Sequence, residues 1–327
     1  MKIALALCVA IAALFAAESV ARLVAPAYDP SGRVAFTYLP DGTPIGPANT
    51  VRRQVRNTGD YDVVVSFNAL GFRDSKPLNT STADSIFVLG DSFAFGWGVE
   101  EWERFSDVLQ AQLGRPVFNI GAGSADLDGY GHLLHYAESN GARIGTLIVS
   151  VCMENDLREY GPDEPERPAA GSVSRAKTLL TDHSAVYGMI ATAIHRSPGL
   201  ERAVARTGLL VPNLAAIAES DASAEAVSSS AERLRRLVAG RRAIVLIVPS
   251  RALWVGSDDH RRQVARTHER FVSLLRQAGL RVVDVREEFE QQQGRPPLSL
   301  HFPSEGHWTT EGHRIAAGAL ASAIAGM

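Results

Sequence analysis

A serine lies just beyond one of the most apolar stretches of this sequence. The run SIFVLG, residues 85–90, predicts a short buried strand, and Asp91 and Ser92 follow its terminal glycine. A serine at a strand end can reach a ligand crevice, and small residues after it let backbone N–H groups approach an anion. Its hydroxyl is a weak nucleophile unless a base takes its proton. Because GDS also occurs in ordinary turns and helix caps, Ser92 alone does not define a site.

Further polar groups follow later strands in the same way. NIGAGS, residues 119–124, closes a second predicted strand, and END, residues 154–156, follows a third. Glycines there bring backbone N–H groups close to a bound oxygen, Asn155 can donate its side-chain amide, and Asp156 can anchor the loop. Near the C-terminus FPSEGHWTTEGH supplies His307 and His313. A histidine is the base that a serine nucleophile needs.

The elements that must position these groups alternate along the chain. Apolar runs predict strands at residues 85–90, 116–121, 146–153, 243–250 and 281–285. Helical spacing predicts helices at about 100–114, 258–278 and 310–324, and a further helix after the glycines of DLDGYGHLLHYAESNGA. This alternation indicates an α/β fold with a parallel sheet covered on both faces, where ligands bind beyond the carboxyl ends of the strands.

In this order and at these strand ends, the four motifs resemble the GDSL/SGNH hydrolase superfamily over residues 85–323. The resemblance implies a three-layer αβα sandwich with a mostly parallel, flavodoxin-like sheet. It implies that Ser92 of GDSF is the nucleophile and that His307 of EGHWTTEGH is the base. NALGFRD, residues 68–74, also resembles a segment that precedes the nucleophile motif in membrane-anchored bacterial members.

The resemblance further implies an oxyanion hole. Its donors would be the N–H of Ser92, the N–H of a glycine in NIGAGS, and the side chain of Asn155, with Asp91 and Asp156 in supporting roles. The second motif differs from the family spacing by one residue, so Gly123 is preferred and Gly121 is the alternative.

The acidic member of the triad departs from the family pattern. The family has Asp three residues before the histidine, where this chain has Ser304, and Glu305 stands two residues before it. EGHW is similar to the acid-x-His-Trp arrangement of alginate-acetylation-type relatives. We therefore expect a Ser92–His307–Glu305 triad, and the alternative is a dyad in which a backbone carbonyl orients His307.

Composition excludes several other classes of function. A net charge of -3 over 327 residues provides no basic field for nucleic acid. The two cysteines give no disulfide framework, and Cys152, in an apolar run, is predicted to be a core residue rather than a nucleophile. The histidines are scattered, so we expect no metal site and no cofactor, with His313 on a helix face or in a cap.

The N-terminal 25 residues are predicted to target the chain to a membrane. An apolar segment follows Lys2, and Glu18 and Arg22 are spaced to pair on one helical face. We expect an uncleaved signal anchor with the remainder exported, and the alternative is a cleaved signal and a secreted form. Residues 26–84 are predicted to be an irregular extension, and residues 85–327 a hydrolase domain with a helical insertion, a lid or cap, at about 157–241.

Together these features predict a serine esterase that acts on O-acyl esters, including O-acetyl esters, of small molecules or carbohydrate. Three alternatives remain open at this stage. They are an O-acyltransferase acting on cell-surface carbohydrate, a lipase, and a non-catalytic binding or assembly protein that keeps the fold.

Overall fold

The computed structural model describes residues 2–31, 33–56, 58–160, 179–207, 217 and 221–326. These residues fall into two compact units, the first within Met1–Arg33, Arg53–Asp62 and Pro165–Pro212, and the second within Val34–Arg52, Val63–Glu164 and Asn213–Met327. Residues 161–178, 208–216 and 218–220 of the predicted insertion lie outside the described part of the chain.

The strands form three sheets within the described residues. Two sheets have two strands each, and the third is a parallel five-stranded sheet in the order β6-β5-β7-β8-β9. The strands are β1 Thr37–Tyr38, β2 Pro44–Ile45, β3 Val51–Val55, β4 Asp62–Ser66, β5 Ile86–Leu89, β6 Val117–Asn119, β7 Thr146–Cys152, β8 Ala243–Val248 and β9 Arg281–Asp284. All five strands predicted from the sequence are therefore present in the large sheet.

The described residues also form helices before, between and after the strands of the large sheet. They are α1 Lys2–Val24, α2 Ser92–Phe95, α3 Phe105–Leu113, α4 Leu127–Ser139, α5 Ala185–Arg196, α6 Pro198–Ala205, α7 Ala224–Leu237, α8 Asp258–Gln277, α9 Arg286–Glu290 and α10 Thr310–Ala325.

The side chains of the sheet alternate between two hydrophobic cores. Phe87 and Leu89 of β5 point into a core formed with α4, α7 and α8, whereas Ile86 and Val88 point into a core formed with α3, α9 and α10. Because successive residues of a strand face opposite sides, an apolar strand such as IFVL buries both faces at once. The fold is a three-layer αβα sandwich, as the family resemblance implies.

The strand order places the point where the chain connections diverge at the end of β5. From β5 the chain crosses to β6 on one side, and it then returns to β7 on the other side of β5. In sheets of this kind, ligands bind at the point where the connections diverge, beyond the carboxyl ends of the strands. Ser92 is three residues beyond Leu89, the last residue of β5.

Two predicted helix boundaries were wrong. The helix predicted to begin after the glycines begins at Leu127, because the Asp126 side chain accepts hydrogen bonds from the N–H groups of Asp128 and Gly129 and caps it there. The helix predicted from about residue 100 begins at Phe105. A separate 3₁₀ turn, Glu101–Glu103, precedes it, because Arg104 is extended and its buried side chain donates to the carbonyl of Arg73.

In the first unit, α1 is long and apolar enough to cross a membrane. Its 20-residue segment Leu5–Val24 is almost entirely exposed. The predicted pair between Glu18 and Arg22 is present, with Arg22 Nε 2.9 Å from Glu18 Oε1. Within the predicted helical insertion, α5 begins after Ser184, whose side chain accepts a hydrogen bond from the N–H of Tyr187.

Candidate active site

Ser92 is the first residue of the short helix α2, directly at the end of β5. Asp91 caps this helix, and its Oδ1 accepts a hydrogen bond from the N–H of Phe93 at 2.9 Å. Gly90 allows the tight turn, because a Cβ there would lie 2.9 Å from the Cβ atoms of Ala94 and Ser150. The glycine before Asp-Ser is thus required by the close approach of the neighbouring strand β7 and of α2.

The structure brings Ser92, His307 and Glu305 together. His307 Nε2 lies 2.7 Å from Ser92 Oγ, and His307 Nδ1 lies 2.5 Å from Glu305 Oε1. A carboxylate can only accept hydrogen bonds, so Nδ1 carries the ring proton and Nε2 is free to accept from the serine hydroxyl. The glutamate, rather than a backbone carbonyl, faces the histidine.

The loop that carries Glu305 and His307 packs against Arg251. Gly306 between them has φ +97°, and a Cβ at this position would overlap the Arg251 guanidinium. Arg251 is in turn held by Glu154, which accepts from its backbone N–H at 2.7 Å, from Nε at 3.0 Å and from Nη2 at 2.7 Å. The loop after β7 and the histidine loop therefore share one mostly buried ion pair.

The candidate oxyanion donors differ in what already binds them. The N–H of Gly121 donates to Asn119 Oδ1 at 3.0 Å, so it is occupied within its own loop. No such bond from the N–H of Gly123 is present among the described residues, which favours Gly123 over Gly121. Asn155 Nδ2 donates to Asp91 Oδ2 at 3.0 Å, and this bond ties the third motif to the residue before Ser92.

The two supporting aspartates are both fully buried. Burial raises the pKa of Asp91, and burial together with the Asp91 carboxylate raises the pKa of Asp156 well above its usual value. Asp156 Oδ2 accepts from the Tyr130 hydroxyl and from the N–H of Cys152, each at 2.8 Å. Asp156 thereby fixes the loop that carries Asn155 to the end of β7.

Aromatic rings cover one side of the site. The ring of Trp97 stacks near that of His307, with centroids 5.7 Å apart, and Phe36 stacks on Trp97 at 6.2 Å. A Cβ on Gly123 would meet Phe36 at 3.0 Å and Trp97 at 3.3 Å, so both rings stand beside this glycine. Trp308, which follows His307 directly in the chain, is fully buried in the core instead.

The remaining candidates lie in the interior. His313 is fully buried, its Nδ1 accepts from the N–H of Phe105 at 3.3 Å, and burial lowers its pKa to about 3. Cys152 is buried in the sheet, and burial raises the pKa of its thiol well above the usual value. Neither residue is placed to act as a base or a nucleophile at neutral pH.

Sequence reasoning missed the role of Arg73. Its guanidinium is fully buried and donates to the carbonyl groups of Gly96 at 2.5 Å and Val99 at 2.7 Å. The next residue, Asp74, accepts from the N–H of Asn119 at 2.6 Å. NALGFRD therefore supports both the loop after Ser92 and the second motif. In the sequence, the feature that could have indicated this role was the adjacent charged pair of Arg73 and Asp74 within a turn-rich extension.

A family model matches most of this chain. The model of the GDSL-like lipase/acylhydrolase family matches residues 88–315, which is more than half of the chain. No curated protein matches the sequence.

The solved structures to which this chain is similar are distant from it in sequence. A lipase/acylhydrolase from Enterococcus faecalis is 10% identical, with 74% of this chain and 95% of that chain covered and a TM-score of 0.42. A catalytic mutant of an acetylxylan esterase from Geobacillus stearothermophilus is 14% identical, with coverage of 75% and 96% and a TM-score of 0.41. A carbohydrate esterase family 2 enzyme from Corynascus thermopiles is 12% identical, with coverage of 77% and 68% and a TM-score of 0.40.

The family match begins within β5 and ends within α10, so it includes all four motifs that meet beyond the sheet. The chain belongs to the GDSL-like lipase/acylhydrolase family of the SGNH/GDSL hydrolase superfamily.

Proposed function

We propose that the protein is a serine esterase that hydrolyses O-acyl esters of small molecules or carbohydrate through an acyl-enzyme on Ser92. The observation that carries this proposal is the continuous hydrogen-bonded chain from Ser92 Oγ through His307 to Glu305. The nucleophile, its base and the group that orients the base are all within hydrogen-bonding distance, which is the arrangement that activates a serine hydroxyl.

The reaction follows from the positions of the protons. His307 Nε2 takes the proton of Ser92 Oγ as this oxygen bonds to the acyl carbon, and Glu305 stabilises the imidazolium that forms. The imidazolium then protonates the alcohol oxygen as the ester C–O bond breaks. Water then gives a proton to Nε2 as its oxygen bonds to the acyl carbon. Return of that proton to Ser92 Oγ, as the bond between Oγ and the acyl carbon breaks, releases the acid.

The negative oxygen of the tetrahedral intermediate would be held by three donors. We assign these to the N–H of Ser92, the N–H of Gly123 and the side-chain amide of Asn155. Asp91 occupies one hydrogen of the Asn155 amide, and an amide has two, so the second remains for the substrate. Removal of one such donor typically raises the barrier by about 3 kcal/mol.

The aromatic side of the site supports a short acyl group. Phe36 and Trp97 stand beside Gly123, where the carbonyl oxygen would be held, and Trp97 also stacks on the catalytic histidine. Rings packed this closely leave little depth for a long alkyl chain on that side. We therefore propose that acetyl and similarly small esters are preferred.

We also propose that α1 is retained as a membrane anchor and that the catalytic unit is exported. The support is its length and its exposed apolar surface, together with Lys2 at its start. A cleaved signal is the alternative outcome, and the mass of the purified mature chain distinguishes the two.

A fluorophosphonate probe tests the assignment of the nucleophile. We expect wild type and the surface variant Ser139→Ala to be labelled at Ser92 and to hydrolyse p-nitrophenyl acetate, whereas Ser92→Ala does neither. Labelling at another residue, or hydrolysis by Ser92→Ala at the wild-type rate, would refute the triad.

The same assay separates the alternative functions. Turnover that requires an added carbohydrate acceptor would identify an acyltransferase. A rate that rises steadily from acetyl to octanoyl esters would identify a lipase and contradict the preference for short esters. A correctly folded wild type without labelling or turnover would identify a non-catalytic protein.

A further inference from the structure

Polar contacts join α1 to the start of α5. Glu18 Oε1 accepts from the N–H of Ala185 at 2.7 Å, and Oε2 accepts from the N–H of Val186 at 3.2 Å and from the Ser184 hydroxyl at 2.9 Å. The first N–H groups of a helix have no partner within it, and a carboxylate satisfies them and favours the positive end of the helix dipole. Glu18 of α1 therefore caps α5.

Arg22, one turn after Glu18, strengthens the same contact. It donates to Glu18 Oε1 at 2.9 Å, to the carbonyl of His183 at 2.6 Å and to Asp29 Oδ1 at 3.1 Å. Ala21, between the two charged residues, is 6% exposed, although nearly all of α1 is exposed. This part of α1 is thus built to bind the segment around residue 184.

The contact determines the depth of α5 when α1 spans a bilayer. The apolar segment of α1 ends at Val24, six residues after Glu18, and a helix rises 1.5 Å per residue. Glu18 therefore lies roughly 9 Å inside the end of the span. Because Ala185 is hydrogen-bonded directly to Glu18, the start of α5 lies at the same depth in the bilayer. Helices that lie in the membrane interface are buried to a similar depth, about 5–10 Å into the boundary between headgroups and acyl chains.

The surface of α5 and of the residues before it suits this environment. Small or polar residues of α5, namely Ala185, Gly188 and Thr192, are buried, whereas large apolar side chains face outward. The exposed set is Leu179, Leu180, Met189 and Ile190, followed by Leu200 of α6. The described residues 179–207 hold three arginines and two acidic residues, so no excess of negative charge opposes an anionic lipid surface.

We propose that the α5–α6 segment, residues 179–207, is a second membrane-binding element that lies in the lipid interface beside α1. Its occupant is the bilayer itself, and Glu18 sets its depth. The proposal rests on retention of α1 and is independent of the esterase activity. It gives a reason for an acidic residue within an apolar span, since an unpaired carboxylate there would be costly.

An environment-sensitive fluorophore at position 190 tests the proposal in the full chain. Ile190→Cys is labelled in a Cys8→Ser background, where Cys152 remains buried and unreactive, and the protein is reconstituted in phosphatidylcholine vesicles with doxyl-labelled lipid. Val64→Cys is the matched control, because Val64 is 51% exposed and Ile190 is 55% exposed, and Val64 belongs to the catalytic unit. We expect at least threefold stronger quenching at 190 than at 64.

Glu18→Ala supplies the second measurement. We expect this variant to float with vesicles as wild type does, since α1 is still apolar, and quenching at position 190 to fall to the level of position 64. Several results would overturn the proposal: equal quenching at 190 and 64 in wild type, full quenching at 190 in Glu18→Ala, or a mature chain that begins after Val24. Protection of position 190 by a second copy of the chain, without lipid quenching, would overturn it as well.

Discussion

Replacement of Glu305 by glutamine tests whether the acid of this site orients the histidine. The variant keeps the shape of the side chain but removes its charge 2.5 Å from His307 Nδ1. Arg251 lies against the intervening Gly306 and interacts electrostatically with Glu305. With a neutral residue at 305, this cation would disfavour the imidazolium that the reaction must form.

The size of the effect follows from the bond that is lost. A hydrogen bond to a charged group contributes about 1.5–3 kcal/mol, which corresponds to a decrease of roughly 10- to 150-fold in kcat. If the glutamine NH₂ turns toward Nδ1, the ring proton moves to Nε2, which can then no longer accept from Ser92. Loss of the productive tautomer costs triads about 10⁴-fold. We therefore expect Glu305→Gln to lose at least tenfold and up to about 10⁴-fold in kcat.

The assay is hydrolysis of p-nitrophenyl acetate, with kcat and KM measured separately and the melting temperature as a check on folding. Glu311→Gln is the matched control, because Glu311 is an acid of α10 whose salt bridge to Arg314 is on the surface. We expect the control to retain wild-type kcat. A folded Glu305→Gln variant within threefold of wild type would show that the carboxylate does not orient His307, and would favour the dyad.

Three further predictions concern stability. Gly90→Ala should lower the free energy of unfolding by about 1–3 kcal/mol and reduce turnover. In the control Gly318→Ala the added methyl group meets open space, so this variant should be neutral or more stable by up to about 1 kcal/mol. Urea unfolding measures both variants, and an unchanged stability of Gly90→Ala would contradict the close packing around Gly90. Arg251→Met and Glu154→Met should each lower the free energy of unfolding, because each leaves one buried charge without its partner. The double variant should be more stable by about 0.5–3 kcal/mol than the two single losses added together predict. Losses that simply add would show that the two residues are not energetically coupled. Burial lowers the pKa of His313 to about 3, so on acidification this histidine is protonated in the unfolded chain before it is protonated in the folded chain, and stability should fall as the pH drops below about 6.5. His313 should contribute a loss of about 2 kcal/mol between pH 6.5 and 5. The urea midpoint measured at each pH tests this, and His313→Asn should make its dependence on pH less steep.

The strands and most helices could be predicted because their signals are local. Apolar runs such as residues 243–248 have no polar residue to place in water, so they must be buried on both faces. Boundaries were less accurate where a side chain from elsewhere decides them. Arg104 is extended, and its buried guanidinium donates to the backbone carbonyl of Arg73, 31 residues earlier in the chain. No local sequence pattern shows this contact.

In the candidate site, too, local features could be predicted from the sequence and long-range contacts could not. The sequence pointed to the four motifs, but it did not reveal the supporting contacts of Arg73, Arg251 and Gly306, because these contacts join segments far apart in the chain. Arg251 and Glu154 are 97 residues apart and look like ordinary surface charges in the sequence. The sequence already preferred Gly123 to Gly121 as the oxyanion donor, but spacing could not reveal the hydrogen bond from the N–H of Gly121 to Asn119.

By itself, the sequence determined the α/β class, the apolar N-terminal helix and the residues of the four motifs, because periodicity and residue type act over a few neighbours. Only the tertiary structure decided that Glu305 faces His307, that Trp97 lies beside the site while Trp308 is in the core, and that Glu18 caps a helix 167 residues away. Each of these depends on which segments the folded sheet and helices bring within a few ångströms, and that is a property of the whole chain.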